Sequence, residues 1–257
     1  MGSVVGKTIV ITGAGSGIGQ AISRRFAADG ATVVGTDVND AGLAELDGVD
    51  NVITTHVDVT NWDEVKASVD LAIKRTGRVD VYVNNAGIGM SQTVVDTDVD
   101  RFALLHRVHV NGTLHGLKAA LAPMRDQGSG HIMNVISRVA ETDSVGVSAY
   151  ASAKAAMWSL TRVAAAENAD HGIFVNALFP GISRTAMTAG GQIGDPSKLG
   201  APDQEYDTFK QLATLESGAP NGQVWFHGAV YPMFQADNSL GAVTGGLAEG
   251  RAAHDDG

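Results

Sequence analysis

The 257-residue sequence contains no cysteine, which excludes disulfides, thiolate metal sites and thiol redox switches. Aromatic residues are scarce at 5%, so a core has to be built from Ala, Val, Ile and Leu, and the 44% hydrophobic content is enough to build one. Basic residues number 18 against 28 acidic ones, a net charge of −10, and they form no basic patch; a nucleic-acid partner is not expected. No apolar run reaches the ~18 residues a membrane span requires. Residues Met1 to Lys7 lead straight into an apolar run and leave no room for a signal peptide. The expectation from composition is a soluble, cytoplasmic protein forming one sizeable domain over 1–257, since no composition shift marks a second.

What the chain does have is alternation. Short apolar runs predict strands over 7–12, 31–37, 52–57, 79–84, 130–137 and 174–179. Helical stretches lie between them, near 18–29, 63–76, 98–125 and 150–170, with Gly30 and Gly77 suited to end two of them and Asp98 to start a third. Strand–helix alternation of this kind predicts an α/β fold, a single doubly wound Rossmann-type domain with a mainly parallel sheet flanked by helices.

Two motifs carry chemistry. Tyr150 and Lys154 are four apart, on one face of a helix, with Ser137 thirteen residues upstream at the end of an apolar run. A free phenol titrates near pH ~10, and a neighbouring ammonium favours phenolate, so the pair suits proton transfer near neutrality. Ser137 can hold a substrate oxygen or simply cap the strand end. The second motif is Thr12-Gly13-Ala14-Gly15-Ser16-Gly17-Ile18-Gly19, directly after an apolar strand. Glycines at a strand-to-helix turn let backbone N–H groups approach a pyrophosphate, although this spacing departs from the usual Gly-x-Gly-x-x-Gly pattern and a plain tight turn stays open. Asp37 follows the next strand, roughly twenty positions on, where a carboxylate accepts from a ribose 2′-OH.

With these motifs in order, the chain resembles the short-chain dehydrogenase/reductase family, in its shorter, single-domain branch. The resemblance runs from Thr12 to about Thr185, with a weaker echo at Val243-Thr244-Gly245. It implies a catalytic tetrad of Asn111, Ser137, Tyr150 and Lys154. It further implies cofactor contacts from Gly13, Ser16, Gly17, Ile18, Gly19, Asp37, Asp58, Val59, Asn85, Ala86, Gly87, Tyr150, Lys154, Pro180, Gly181 and Thr185. Within that frame Tyr150 is the acid or base for a hydroxyl proton, Lys154 lowers its pKa and bonds the cofactor ribose, and Asn111 sits at a kink or water site for a proton relay. Asn111 also reads as an ordinary solvent-facing residue.

Asp37 favours NAD over NADP, because a 2′-phosphate would meet its carboxylate while Ala14, Ser16, Val38 and Asn39 supply no cation. His106 and His109 lie three apart on a helix but lack a third ligand, so no metal is expected and packing or surface roles are. Arg138 either contacts a polar substrate group or pairs with Glu141 or Asp143. Glycines and prolines crowd 188–222, which suggests a substrate lid near 186–222, and Gly246 to Arg251 is too polar for a good seventh strand.

The expected activity is interconversion of a secondary alcohol and a ketone with NAD(H). A mainly apolar or cyclic substrate is expected, walled by some of Met187, Trp225, Phe226, Tyr231, Met233 and Phe234. Lys198 and Lys210 stand alone among acids, which ranks phosphorylated and acyl-carrier substrates low. The alternatives are an inactive NAD-binding regulator, a lyase or epimerase on the same scaffold, and a dehydrogenase of a polar hydroxy-acid or sugar alcohol. A homotetramer or homodimer is expected from the Ala- and Leu-rich helices.

Overall fold

In the computed structural model, residues 2–142, 144–181 and 199–233 are described. Strand β1 (Thr8–Thr12) is buried at every position, as the centre of a parallel sheet requires. It is flanked by β2 (Thr32–Asp37), then β3 (Val52–His56) on one side, and by β4 (Val81–Asn84), β5 (Gly130–Val135), β6 (Ile173–Leu178) and β7 (Val224–Phe226) on the other. All these neighbours are parallel; β8 (Ala229–Tyr231) closes the edge antiparallel to β7.

Helices cover both faces. Ile9, Ile11, Val81 and Val83 pack under α1 (Gly17–Ala28) and α7 (Tyr206–Leu212), through Ile22, Phe26, Phe209 and Leu212. Val10, Tyr82 and Ile132 face the opposite layer and meet Val65, Val69, Leu117, Ala120 and Ala164. These residues come from α3 (Trp62–Thr76), α5 (Gly112–Gln127) and α6 (Ser148–Glu167). The period of two along each strand sends its apolar residues alternately to the two layers. Capping fixes the helix starts: Asn61 accepts from the Asp63 N–H at α3, and Asp98 from the Asp100 and Arg101 N–H groups at α4 (Val99–His106). The short α2 (Asp40–Ala44) completes the set.

The helical run expected over 98–125 is continuous, from α4 into α5, and takes a π-helical turn at Arg107–Asn111 on the way, where the resemblance implied a kink at Asn111. The seventh strand lies at Val224–Phe226, well before the Val243-Thr244-Gly245 echo, which falls outside the described residues. Asn221 steers it there: its amide accepts from the Val175 N–H (2.8 Å) and donates to the Ile173 carbonyl (3.1 Å), so the chain enters alongside β6. Of the segment expected as a lid, 186–222, residues 186–198 lie outside the described residues, and α7 packs into the core. Tyr206 meets Phe26 edge-on at 5.0 Å, and the Asp29 carboxylate accepts from the Tyr206 hydroxyl (2.8 Å) and from Lys210 Nζ (2.7 Å). Among the described residues no helix is long and apolar enough to cross a membrane.

Candidate active site

The strand order reverses between β1 and β4, since the chain runs outward to β3 and then returns across β1. A crevice opens at the carboxyl ends of strands at such a point. The turn after β1 fills one wall of it. Gly13 has a φ of +73°, and a Cβ there would come within 2.9 Å of the Ala86 Cα; a Cβ on Gly19 would lie 2.0 Å from the Gly13 carbonyl oxygen. Only bare backbone fits, which leaves the N-terminus of α1 open to an anion, with no acidic residue in its first turn.

Thr12, which the motif reading left out of the site residues, ties this turn to β4. The Asn85 and Ala86 N–H groups donate to its hydroxyl (3.0 and 3.1 Å), which donates in turn to the Val83 carbonyl (3.2 Å). The Asn85 side-chain amide donates to the Thr12 carbonyl at 2.9 Å. Asp37 stands at the end of β2 and accepts from the Gly15 N–H (2.8 Å) and the Asn39 N–H (2.9 Å), so its charge is held against the glycine turn. Asp58 accepts from the Thr60 N–H at 2.8 Å, and the buried Val59 packs where a Cβ on Gly112 would come within 2.9 Å. Ser16 and Ile18 flank the open helix end, with Ser16 exposed. These residues fit a dinucleotide: a side-chain-free turn for the pyrophosphate and a carboxylate for a ribose.

The other wall is built by β5 and α6. Lys154 is buried and donates to the Val135 carbonyl at 2.7 Å; its Nζ lies 5.3 Å from the Tyr150 ring centroid. Burial pushes the Lys154 ammonium down to about 7 and the Tyr150 phenol up to about 12. Loss of water is the cause in both cases, and the expected lowering of the phenol by the ammonium is not seen. Ser137 stands half-buried where β5 ends, accepting from the Val139 N–H at 3.4 Å.

Asn111 is not brought into this group. It is exposed on the π turn, and its side chain makes no hydrogen bond among the described residues. The residue turned inward is His109, 1% exposed, whose ring meets Tyr150 edge-on at 5.4 Å. A Cβ on Gly87 would lie 2.5 Å from its Cε1, so Gly87 is where the histidine passes under the β4 loop. The sequence analysis weighed His109 only with His106 as a pair lacking a third metal ligand, and an unbroken helix register does not say which way it points.

Pro180 and Gly181 follow β6; the Pro180 carbonyl accepts from the Gln204 amide at 3.1 Å, and Gly181 has a φ of +68°. Thr185, Met187 and Phe234 lie outside the described residues. Arg138 is engaged by Tyr231, donating to its hydroxyl at 3.2 Å, and Glu141 also bonds that phenol. Neither of the two sequence readings of Arg138 named this partner. Trp225 is buried on the α1 and α7 face of the sheet, whereas Phe226, Tyr231 and Met233 pack with Ile136, Met157 and Phe179 at the ends of β5 and β6.

Comparison with known proteins agrees with this geometry. The short chain dehydrogenase family matches residues 7–193. An uncharacterized oxidoreductase of Mycobacterium bovis is 39% identical over 186 residues, 71% of this chain and 75% of the relative. The crystal structure of levodione reductase superposes with a TM-score of 0.77 at 29% identity, covering 86% of this chain and 95% of that one. A 3-ketoacyl-(acyl-carrier-protein) reductase from Brucella melitensis, complexed with NADH, gives a TM-score of 0.80 at 29% identity, covering 86% and 96%.

Proposed function

The chain belongs to the short-chain dehydrogenase family, and from that premise we propose that it is an NAD(H)-dependent oxidoreductase interconverting a secondary alcohol and a ketone. The observation that carries the reading is the Tyr150–Lys154 pair on α6, set at the end of β5 and across the crevice from a glycine turn that only backbone can occupy. A bound nicotinamide supplies the hydride acceptor or donor. In the oxidative direction Tyr150 takes the hydroxyl proton as the carbinol carbon gives up its hydride, and in reduction it returns that proton to the carbonyl oxygen. Ser137 Oγ holds the same oxygen. Lys154, with its stem buried and its amine on the Val135 carbonyl, stands ready to bond the ribose.

Gly13, Ser16, Gly17, Ile18 and Gly19 would hold the pyrophosphate, Asp37 the adenine ribose, and Asp58 and Val59 the adenine. Asn85, Ala86, Gly87, Pro180, Gly181 and Thr185 would line the remaining contacts. The choice of NAD over NADP is supported by the Asp37 carboxylate at the Gly15 N–H and by the NADH bound to the Brucella relative. The substrate is proposed to be mainly apolar or cyclic, a reading supported by the Ile136, Phe179 and Phe226 cluster beyond Ser137 and by the levodione reductase likeness. A panel of cyclic alcohols, steroid alcohols, sugar alcohols and hydroxy acids, followed by NADH formation, tests it. Preference for sugars or acids by a wide margin would overturn the apolar reading, and Arg138→Ala would show whether that guanidinium selects them. A reaction that shows no net NADH turnover on any substrate would point instead to the regulator or the lyase.

The proposed enzyme is one catalytic unit over 1–257 with a substrate lid near 186–222. It assembles as a homotetramer or homodimer, a proposal supported by Leu104, Leu114 and Val163, which stand 42%, 48% and 53% exposed on α4, α5 and α6. A monomer in light scattering at micromolar concentration would count against it.

A further inference from the structure

Asp58 and Val59 lie between β3 and α3, and most of the polar groups of their backbone are already taken. The Asp58 N–H donates to a Glu64 carboxylate oxygen at 2.7 Å, and the Asp58 carbonyl accepts from the Asn61 N–H at 2.9 Å. The Val59 carbonyl accepts from His115 Nδ1 at 2.9 Å. One Asp58 carboxylate oxygen holds the Thr60 N–H at 2.8 Å. What is left is the Val59 N–H, which meets no acceptor among the described residues, and the second Asp58 oxygen. A free donor beside a free carboxylate suits the edge of adenine, whose N1 accepts and whose 6-amino group donates. The same pair opposes hypoxanthine, whose N1 donates and whose 6-oxygen accepts.

Asn61 fixes the peptide plane that carries the Val59 N–H, and His115 fixes the plane after it, so the two bonds together hold the Val59 torsions. The histidine is itself held. It lies on α5 three residues past Gly112, on the same helix face. A Cβ on Gly112 would come within 2.9 Å of Val59 Cγ2, so α5 meets the Val59 side chain there and its carbonyl at His115. Trp62, the first residue of α3, meets the imidazole edge-on at 5.9 Å, and Lys118 Nζ lies 4.4 Å from the Trp62 ring centroid. A carbonyl oxygen only accepts, so Nδ1 carries the ring proton, a donor that no hydrocarbon side chain supplies. We propose that His115 is a positioning residue for the adenine end of the cofactor: its Nδ1–H on the Val59 carbonyl keeps the Val59 N–H and the Asp58 carboxylate placed to tell adenine from hypoxanthine. It takes no part in the hydride or proton step. The proposal rests on the reading of Asp58 and Val59 as the adenine subsite, and the test separates the two.

The parent protein, H115F and H115N are compared by fluorescence titration with NADH and with reduced nicotinamide hypoxanthine dinucleotide, which differs from NADH only at the base edge. H115F keeps a ring beside Trp62 and removes the donor, while H115N places an amide nitrogen where Nδ1 stood. The parent is expected to bind NADH about tenfold more tightly than the hypoxanthine analogue, because both edge contacts are inverted in the analogue. H115F should lose about tenfold in NADH affinity and much less for the analogue, so that its preference for adenine falls to about twofold. H115N should recover most of the NADH affinity and of the preference. In turnover the loss in H115F should fall on KM for the cofactor rather than on kcat. If circular dichroism shows H115F unfolded, H115M takes its place under the same criteria. Parent-like NADH affinity in H115F, equal losses for the two dinucleotides, or no recovery in H115N would each overturn the proposal. A parent that binds both dinucleotides equally would overturn the adenine reading beneath it instead.

Discussion

The loop after β4 is held in two different ways on its two sides. Asn85 and Ala86 are fastened by their backbone N–H groups to one threonine hydroxyl, beside a glycine turn with no space for a side chain. Two residues on, Gly87 and Ile88 rest on a buried imidazole that also touches Tyr150. The first flank offers backbone, whose donors and geometry do not change with pH. The second works with side chains whose charge depends on burial, since Lys154 and Tyr150 are displaced in opposite directions by the same loss of water. A binding wall and a reactive wall therefore differ in what can damage them: added atoms for one, altered protonation for the other.

The sharpest way to break this division is Tyr150→Phe. It should cost about 10²–10⁴-fold in kcat, the worth of a positioned acid or base, while NADH binding measured by fluorescence stays close to that of the parent. Near-normal turnover would mean that the reactive wall lies elsewhere.

The binding wall is probed by comparing cofactors. Repulsion of a 2′-phosphate by Asp37, with the lost ribose contact, should make NAD(H) favoured over NADP(H) by on the order of 100-fold in kcat/KM. Comparable efficiencies would show that Asp37 does not govern that subsite.

Protonation should move the reactive wall alone. Alcohol oxidation needs phenolate, and with the phenol up at about 12 in the free protein the rate should keep rising through alkaline pH, by up to about tenfold per unit. Stability carries its own sign. Lys154 falls from 10.5 to about 7 on folding, so between those values the unfolded chain binds more protons and stability rises with pH. Tyr150 goes from 10.0 to about 12, so above about 10 its contribution falls as pH rises. Melting temperature against pH, parent against Lys154→Met, checks this: the rise above pH ~7 should flatten in the variant.

The smallest effect expected is at Thr12. Thr12→Val keeps the shape but leaves the Asn85 and Ala86 N–H groups without their shared acceptor, for a loss of about 1–3 kcal/mol in denaturant unfolding. Cofactor affinity should fall with it and kcat much less. A variant that lost kcat with unchanged cofactor affinity would dissolve the distinction between the two walls.

Much of the binding wall was legible beforehand because it is local. The glycine turn, Asp37 and the Asn85-Ala86-Gly87 segment lie at strand ends that apolar runs mark, and backbone contacts need only the right residues in the right order. Tyr150 and Lys154 were legible for a similar reason, as an i, i+4 pair has one geometry on any helix. What the sequence did not reveal were features depending on helix phase and strand choice. Asn111 and His109 are two residues apart, and only the π turn decides which faces the site. The Val224–Phe226 run showed no strand pattern because three residues are too few to carry one, and the Asn221 amide that docks it bonds β6 across a long loop.

By itself the sequence determined the alternation of strands and helices, the parallel sheet, and the placing of Tyr150 beside Lys154 and of the glycine turn that the sheet carries, because each follows from local periodicity and spacing. Tertiary structure alone decided that His109 lies beneath Gly87, that Thr12 joins the turn to β4, that α7 packs into the core, and that Lys154 and Tyr150 are shifted apart. Those outcomes depend on what water is excluded and which distant atoms meet, and packing settles both only when the whole sheet has closed.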